Sequence, residues 1–206
     1  PVVRTDAASI WATGRTWWQV PPVVKCSLSG RLQPGVTGKD VIVTLCGFFN
    51  QDEVLNHAVE FCGDGVASLP VNERLTIANM TTEWGALVGL FPADDITIQW
   101  LEGRADYISK RGAEGVPSDK DTSPLHPRIN CERIERLKQN ILKADEKAFY
   151  AKELTLDLST VRPYISGPNH VKVMKSVAEM EERKIKIQKA YLLSCVNARL
   201  DDLAEA

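Results

Sequence analysis

The sequence predicts an α/β fold, and two features of the chain support this prediction. Short segments in which apolar and polar residues alternate, as they do in strands, are separated by segments with the apolar spacing of helices. Gly- and Pro-containing turns, for example at 34–35 and 63–65, separate several of these segments. Alternation of strands and helices indicates an α/β architecture.

The first half of the chain predicts seven elements. Thr37 and Asp40 have the spacing of a helix-capping box, and Pro70 is a typical first residue of a helix. The apolar, Gly-punctuated run at 85–92 is short, which favours a buried strand over a helix. In order, the ranges are helix 6–11, strand 23–30, helix from Thr37, strand 57–62, helix from Pro70, strand 85–92 and helix from Asp95.

The second half begins with a change in composition. Residues 104–127 are rich in Gly, Pro, Ser, Asp and Lys, which predicts a linker or insertion. Charged residues with apolar residues at helical spacing predict an amphipathic surface helix over 131–150. The elements that follow are strand 153–159, helix 177–183 and strand 185–193, which leads directly into Ser194–Asn197.

Composition excludes several classes of protein. A formal net charge of −2 and a pI of about 6.0 give no electrostatic basis for binding nucleic acid or a membrane surface. No apolar run approaches the roughly 20 residues that span a bilayer. The five cysteines form no CxxC pair and are interpreted as reduced thiols of an intracellular protein. A start at Pro1 and an end within a helical pattern indicate a fragment of a longer protein.

Asn79 and Glu83 are the strongest local candidates for function. They are four residues apart in a predicted helix, so both lie on one face of it. The surrounding run is apolar, and a carboxylate buried there would be costly unless a partner or a reaction used it. Glu83 is therefore predicted to be a functional carboxylate, although a solvent-exposed side chain is the usual alternative.

Several collinear motifs resemble the aconitase superfamily along nearly the whole chain. The segments that occur in this order in the superfamily are Gly14–Trp17, Val36–Ile42, Ile77–Ala86 and Ser194–Asn197. Three further matches are most similar to the fungal homoaconitase family: Trp17–Trp18, Asn79–Trp84 and Ser166–Asn169. This resemblance implies aconitase-like three-layer α/β domains and a mitochondrial hydro-lyase of the α-aminoadipate route to lysine.

The resemblance also implies a cofactor and roles for particular residues. Members of the family use a 4Fe–4S cluster held by three thiolates, and Cys195 matches the first of the three cysteines. Glu83 matches the carboxylate that handles the hydroxyl group or water, and Asn79 matches an amide beside the cluster. Arg199 could bind a substrate carboxylate bidentately, or it could be an exposed helix residue. The substrate would be a small tricarboxylic acid, homoaconitate or homoisocitrate.

The chain also departs from the family pattern. Val196 and Ala198 replace two hydroxyl-bearing residues next to Cys195, and the CxxC that supplies the other two thiolates is absent. The resemblance divides the chain into the end of a first domain (1–22), a second domain (23–103), an insertion (104–150) and the start of a cluster-bearing third domain (151–206). One thiolate cannot hold a cluster, so the isolated fragment is expected to bind none, to be inactive and to self-associate through exposed apolar surface.

Two alternatives remain open at this point. The parent protein could be a related dehydratase that acts on citrate or isopropylmalate, since residues that distinguish these substrates fall mostly outside the chain. Alternatively, the chain could be a non-catalytic binding module. The near-neutral charge argues against a module that binds nucleic acid.

Overall fold

A computed structural model describes residues 3–111, 126 and 128–205, and it confirms the predicted α/β class. Contacts divide the chain into two compact units. The first comprises Pro1–Phe91 together with Phe149–Ala206, and the second comprises Pro92–Ala148. No helix in the described ranges is long and apolar enough to cross a bilayer.

The first unit contains most of the regular structure. Its first six elements are α1 (Arg4–Thr13), β1 (Val23–Ser29), α2 (Gly38–Phe48), β2 (Ala58–Cys62), α3 (Val71–Trp84) and β3 (Val88–Leu90). After the second unit come β4 (Lys152–Asp157), β5 (Tyr164–Ser166), β6 (Met174–Ser176), α6 (Val177–Glu182) and α7 (Leu200–Glu205). Short 3-10 turns at Asp64–Ser68 and Leu158–Thr160 follow β2 and β4.

Four parallel strands form the main sheet, in the order β3-β2-β1-β4. Cys26 in β1 lies opposite Phe61 in β2 and Leu154 in β4, and Cys26 and Phe61 are fully buried. Alternate residues of β1 point into the core, which explains why its sequence pattern predicted a strand. β5 and β6 form a separate antiparallel pair.

Helix α2 begins with the predicted capping box. One carboxylate oxygen of Asp40, Oδ2, accepts a hydrogen bond from the Thr37 amide at 2.9 Å. The other, Oδ1, accepts from the amide of Tyr164 at 3.0 Å and so connects α2 to β5. The Asp40 side chain therefore accepts a hydrogen bond at the start of α2 and another from β5, 124 residues away in sequence.

The turn after β2 fixes where α3 begins. Gly63 has φ +94°, and a Cβ atom there would overlap the carbonyl oxygen of Leu28, so this position requires glycine. The buried guanidinium of Arg74 donates to the carbonyl oxygens of Leu69 and Val66, each at 2.9 Å. These bonds fasten the first turn of α3 to the 3-10 turn that precedes it.

The second unit is a pair of helices, α4 (Asp95–Arg111) and α5 (Cys131–Gln139). Ile98, Ala105 and Ile134 form its buried contact, and the ammonium of Lys138 lies 2.6 Å from the carboxylate of Glu102. The predicted linker over 104–127 was wrong at its start, because α4 continues to Arg111. Helical spacing carries on from Leu101 to Ala105, so burial of that face favours further helix. Residues 112–125 and 127 lie outside the described ranges.

Two other predicted elements differ from the structure in length or burial. The helix expected over 131–150 ends at Gln139, because Asn140 leaves the helical conformation and Leu142 beyond it is exposed. The run at 85–92 forms only the three-residue β3, an edge strand in which Val88 and Gly89 are half-buried and Leu90 is exposed. The spacing of apolar residues predicts which face of a helix or strand is buried, but it does not determine at which residue the backbone hydrogen bonding of that element ends.

The strand predicted over 185–193 was wrong. Those residues are irregular and exposed, including Ile187, Tyr191 and Leu192. A strand needs a neighbour for its backbone hydrogen bonds, and none of the described strands pairs with this segment. The strand predicted over 153–159 is also shorter than expected. β4 ends at Asp157, and Leu158 begins a 3-10 turn.

Candidate active site

Asn79 and Glu83 lie on one exposed face of α3, as their spacing predicted. Of the two possibilities that the sequence left open for Glu83, burial or exposure, the structure shows exposure. Consecutive residues on a helix point about 100° apart, so Trp84 enters the core, where it is 1% exposed, while Glu83 faces outward. No side chain in the described part of the chain forms an ion pair with Glu83.

The Cys195 turn, residues 194–197, places a thiol at the surface. The hydroxyl oxygen of Ser194 accepts hydrogen bonds from the amides of Val196 and Asn197 at 3.0 and 2.7 Å. Cys195, directly after Ser194, is exposed, while Val196 packs against the main hydrophobic core. The turn therefore has an anchored side and a free thiol at its tip.

The Cys195 turn lies against α3. The hydroxyl of Thr76 is 3.2 Å from Oδ1 of Asn197 and 3.1 Å from the carbonyl oxygen of Asn72. Asn72, Thr76, Asn79 and Glu83 follow one another at intervals of four, three and four residues, so they share one face of the helix. The structure thus brings the segment that carries Cys195 onto the helix face that carries both polar candidates.

Arg199 is occupied by contacts within the chain. Its Nε donates to Oδ2 of Asp202 at 3.0 Å, and its Nη2 donates to Oδ1 of the same carboxylate at 3.3 Å. Its Nη1 donates to the carbonyl oxygen of Asn72 at 3.1 Å. Hydrogen bonds from Arg199 lower the pKa of Asp202 below its ordinary value. The carboxylate bound by Arg199 in this structure is internal, and the arginine ties α7 to α3.

The three other cysteines of the first unit are not placed to complete a set of metal ligands with Cys195. Cys26 and Cys46 are buried, and burial raises the pKa of each thiol to about 12. Cys62 is half-buried beside Ser27 in the sheet. Within the described ranges, no three His, Cys, Asp or Glu side chains could together hold a metal ion.

This donor set does not fit a complete 4Fe–4S cluster, which takes three or four protein ligands. Cys195 is exposed, and Asn197 of the same turn contacts α3, so its thiol is available as one ligand beside that helix. A cluster in a longer protein would take its remaining ligands from outside these residues.

The cysteines are expected to differ sharply in reactivity. At mildly alkaline pH, iodoacetamide should modify Cys195 and Cys131, because both are exposed and only the thiolate reacts. Cys26 and Cys46 should stay unmodified in the folded chain, because burial keeps their thiols protonated. Peptide mass spectrometry before and after unfolding in urea provides the measurement and its control. Rapid labelling of Cys46 without denaturant would contradict the described packing.

Comparison with known proteins identifies the family. The model of the aconitase family (aconitate hydratase) matches residues 1–206. The chain belongs to the aconitase family. Its relatives in this family include proteins named mitochondrial homoaconitase, which match 100% of the chain. The one from Candida parapsilosis is 58% identical, that from Mycosarcoma maydis 56% and that from Aspergillus oryzae 57%.

The match covers only part of each relative. This aconitase-family chain spans 28% of the length of the Candida parapsilosis and Mycosarcoma maydis proteins and 26% of the Aspergillus oryzae protein. The resemblance that the motifs predicted is thereby confirmed, while the roles of individual residues stay predictions. The aconitase family uses a 4Fe–4S cofactor, which agrees with the cofactor predicted for the parent protein.

Sequence reasoning missed the residues that bring the candidates together. Thr76 was not recognised, and neither was the acceptor role of Asp202. Thr76 and Asn197 are 121 residues apart, so no local pattern connects them. The one available signal was the position of Thr76, one turn before Asn79 and two turns before Glu83 on the same face.

Proposed function

We propose that this chain is part of a mitochondrial homoaconitate hydratase, a hydro-lyase that interconverts homoaconitate and homoisocitrate. The observation that carries the proposal is identity of 55–58% along the entire chain to several proteins named mitochondrial homoaconitase. The placement of the Cys195 turn on the Asn79 and Glu83 face of α3 supports it, because two of the motifs behind the resemblance meet there.

Three side chains have proposed roles in the reaction. Glu83 is exposed; as a carboxylic acid it would give its proton to the departing hydroxyl group during dehydration, and as a carboxylate it would take one from the attacking water during hydration. Asn79, one turn earlier, would orient that oxygen through its amide. Cys195 would supply one thiolate ligand, and a 4Fe–4S cluster completed by ligands from the longer protein would supply Lewis-acid chemistry. The base that removes the carbon-bound proton is not assigned to this chain.

The proposed organisation of the longer protein follows the family resemblance. Residues 1–22 would close a first domain, 23–103 would form a second, 104–150 an insertion and 151–206 the start of a third. β4 nevertheless pairs with β1 in one sheet, so the proposed second and third domains would share a strand pairing. Limited proteolysis of the longer protein would locate the boundaries that separate independently stable parts.

An activity assay on the full-length protein that contains this chain tests the proposed function. After anaerobic reconstitution with iron and sulfide, the protein is expected to hydrate cis-homoaconitate. Parallel assays with cis-aconitate and with the isopropylmalate dehydratase substrate test the two related activities. Preferred turnover of either one would replace the proposed substrate, and no turnover of any of the three would favour a non-catalytic module. The 206-residue chain, treated identically, is the control and should remain inactive.

A further inference from the structure

We infer that Thr76 and Arg199 are positioning residues that hold the Cys195 turn on α3. This inference rests on the proposed function for its kinetic consequence, but its structural part is independent of the reaction. It assigns Arg199 to the alignment of the site, in place of the substrate-carboxylate contact that the sequence suggested.

Thr76 is the centre of the contact. Its side chain is fully buried although it lies on the face that carries the exposed Asn79 and Glu83, because the Cys195 turn covers it. Its hydroxyl has one proton, which it donates to Asn197 or to the carbonyl oxygen of Asn72, and it accepts from Nη2 of Arg199 at 3.4 Å. One hydroxyl therefore connects α3, the Cys195 turn and Arg199, the residue directly before α7.

Arg199 fixes the second point of attachment. Its guanidinium reaches the carbonyl oxygen of Asn72 at 3.1 Å, one helical turn before Thr76. Nε and Nη2 of the same guanidinium donate to the Asp202 carboxylate, and this bidentate pair fixes the orientation in which Nη1 reaches Asn72. A planar, forked donor is required for this arrangement, and a lysine ammonium cannot reproduce it.

The two attachments limit where the thiol can be. Asn197 is two positions after Cys195, with only Val196 between them, so their Cα atoms are at most about 7.6 Å apart. Asn197 contacts Thr76, and Asn79 lies one turn after Thr76 on the same face of α3. Cys195 is therefore held near the polar candidates by contacts that do not involve any ligand. A displacement of about 1 Å at such a site can reduce the rate by about 100-fold.

The first measurement is steady-state kinetics of the full-length protein. Arg199→Lys and Thr76→Val are each expected to lower kcat by about 100-fold with KM changed less than about twofold, because alignment is lost while substrate contacts remain. Thr76→Ser, which keeps the hydroxyl, should recover most of the lost kcat. Arg183→Lys is the matched control, since the Arg183 side chain pairs with Glu179 on the exposed side of α6 and has no other ion pair among the described residues. A large rise in KM with unchanged kcat in Arg199→Lys would identify a substrate-binding arginine and overturn the inference.

The second measurement does not require activity. Hydrogen exchange followed by mass spectrometry, on the same proteins, should show faster exchange in 194–203 for Thr76→Val and Arg199→Lys than for the parent. Peptides covering β1 and β4 report global folding and should be unchanged, as should every peptide in Thr76→Ser. Unchanged exchange in 194–203 would overturn the inference even if the protein is an active homoaconitate hydratase. Faster exchange in a protein without hydratase activity would support the anchor and reject the proposed function.

Discussion

Glu83→Gln in the full-length protein is expected to lower kcat for homoaconitate by about 10²–10⁴-fold, the usual contribution of a positioned acid–base group. The amide retains the size and the polar character of the side chain but cannot exchange a proton at the reacting oxygen. Glu83 is exposed on α3 and forms no ion pair within the described ranges. The substitution should therefore change the free energy of unfolding by no more than about 0.5 kcal/mol. Steady-state assays together with urea unfolding measure the two effects separately.

Glu182→Gln provides the matched control for that experiment. Glu182 is also an exposed glutamate near the end of a helix, but that helix is α6 and carries none of the candidate site residues. The Glu182→Gln substitution should leave both kcat and the urea midpoint of unfolding unchanged. If Glu83→Gln retained nearly the parent kcat, the carboxylate would have no proton-transfer role, and Glu83 would be an exposed helix residue without a function in the reaction.

The parts of the fold that could be predicted are those determined by neighbouring residues. The Thr37–Asp40 capping box and the alternation in β1 are local signals, and both were found at the expected positions. The segment 185–193 has a similar alternation yet forms no strand, because pairing depends on a second segment that sequence alone does not specify.

The same distinction applies to the candidate site. The i, i+4 relation of Asn79 and Glu83 is a helical property, so it followed directly from the sequence. The exposure of Glu83 did not follow, because an apolar run does not reveal which face meets the core. Contacts of Arg199 with Asn72 and of Asn197 with Thr76 bridge 127 and 121 residues, and only the folded chain shows them.

Trp84→Ala should cost about 3–5 kcal/mol of unfolding free energy, the largest stability effect that we predict. The indole is 1% exposed, and its Nε1 donates to the carbonyl oxygen of Phe49 at 2.7 Å. Its ring also lies 6.3 Å from that of Phe49, centroid to centroid, so it joins the end of α2 to the end of α3. Urea unfolding of the 206-residue chain, followed by circular dichroism, provides the measurement.

Two further variants separate burial from hydrogen bonding in that effect. Trp84→Phe keeps most of the apolar contact but leaves the Phe49 carbonyl without its donor, so it should cost about 1–3 kcal/mol. Trp11→Ala removes an indole that is 88% exposed and should stay within about 0.5 kcal/mol. A loss below about 1 kcal/mol in Trp84→Ala would contradict the described core. Since Trp84 directly follows Glu83, opposite results at the two positions would establish that α3 separates a stabilising face from a functional one.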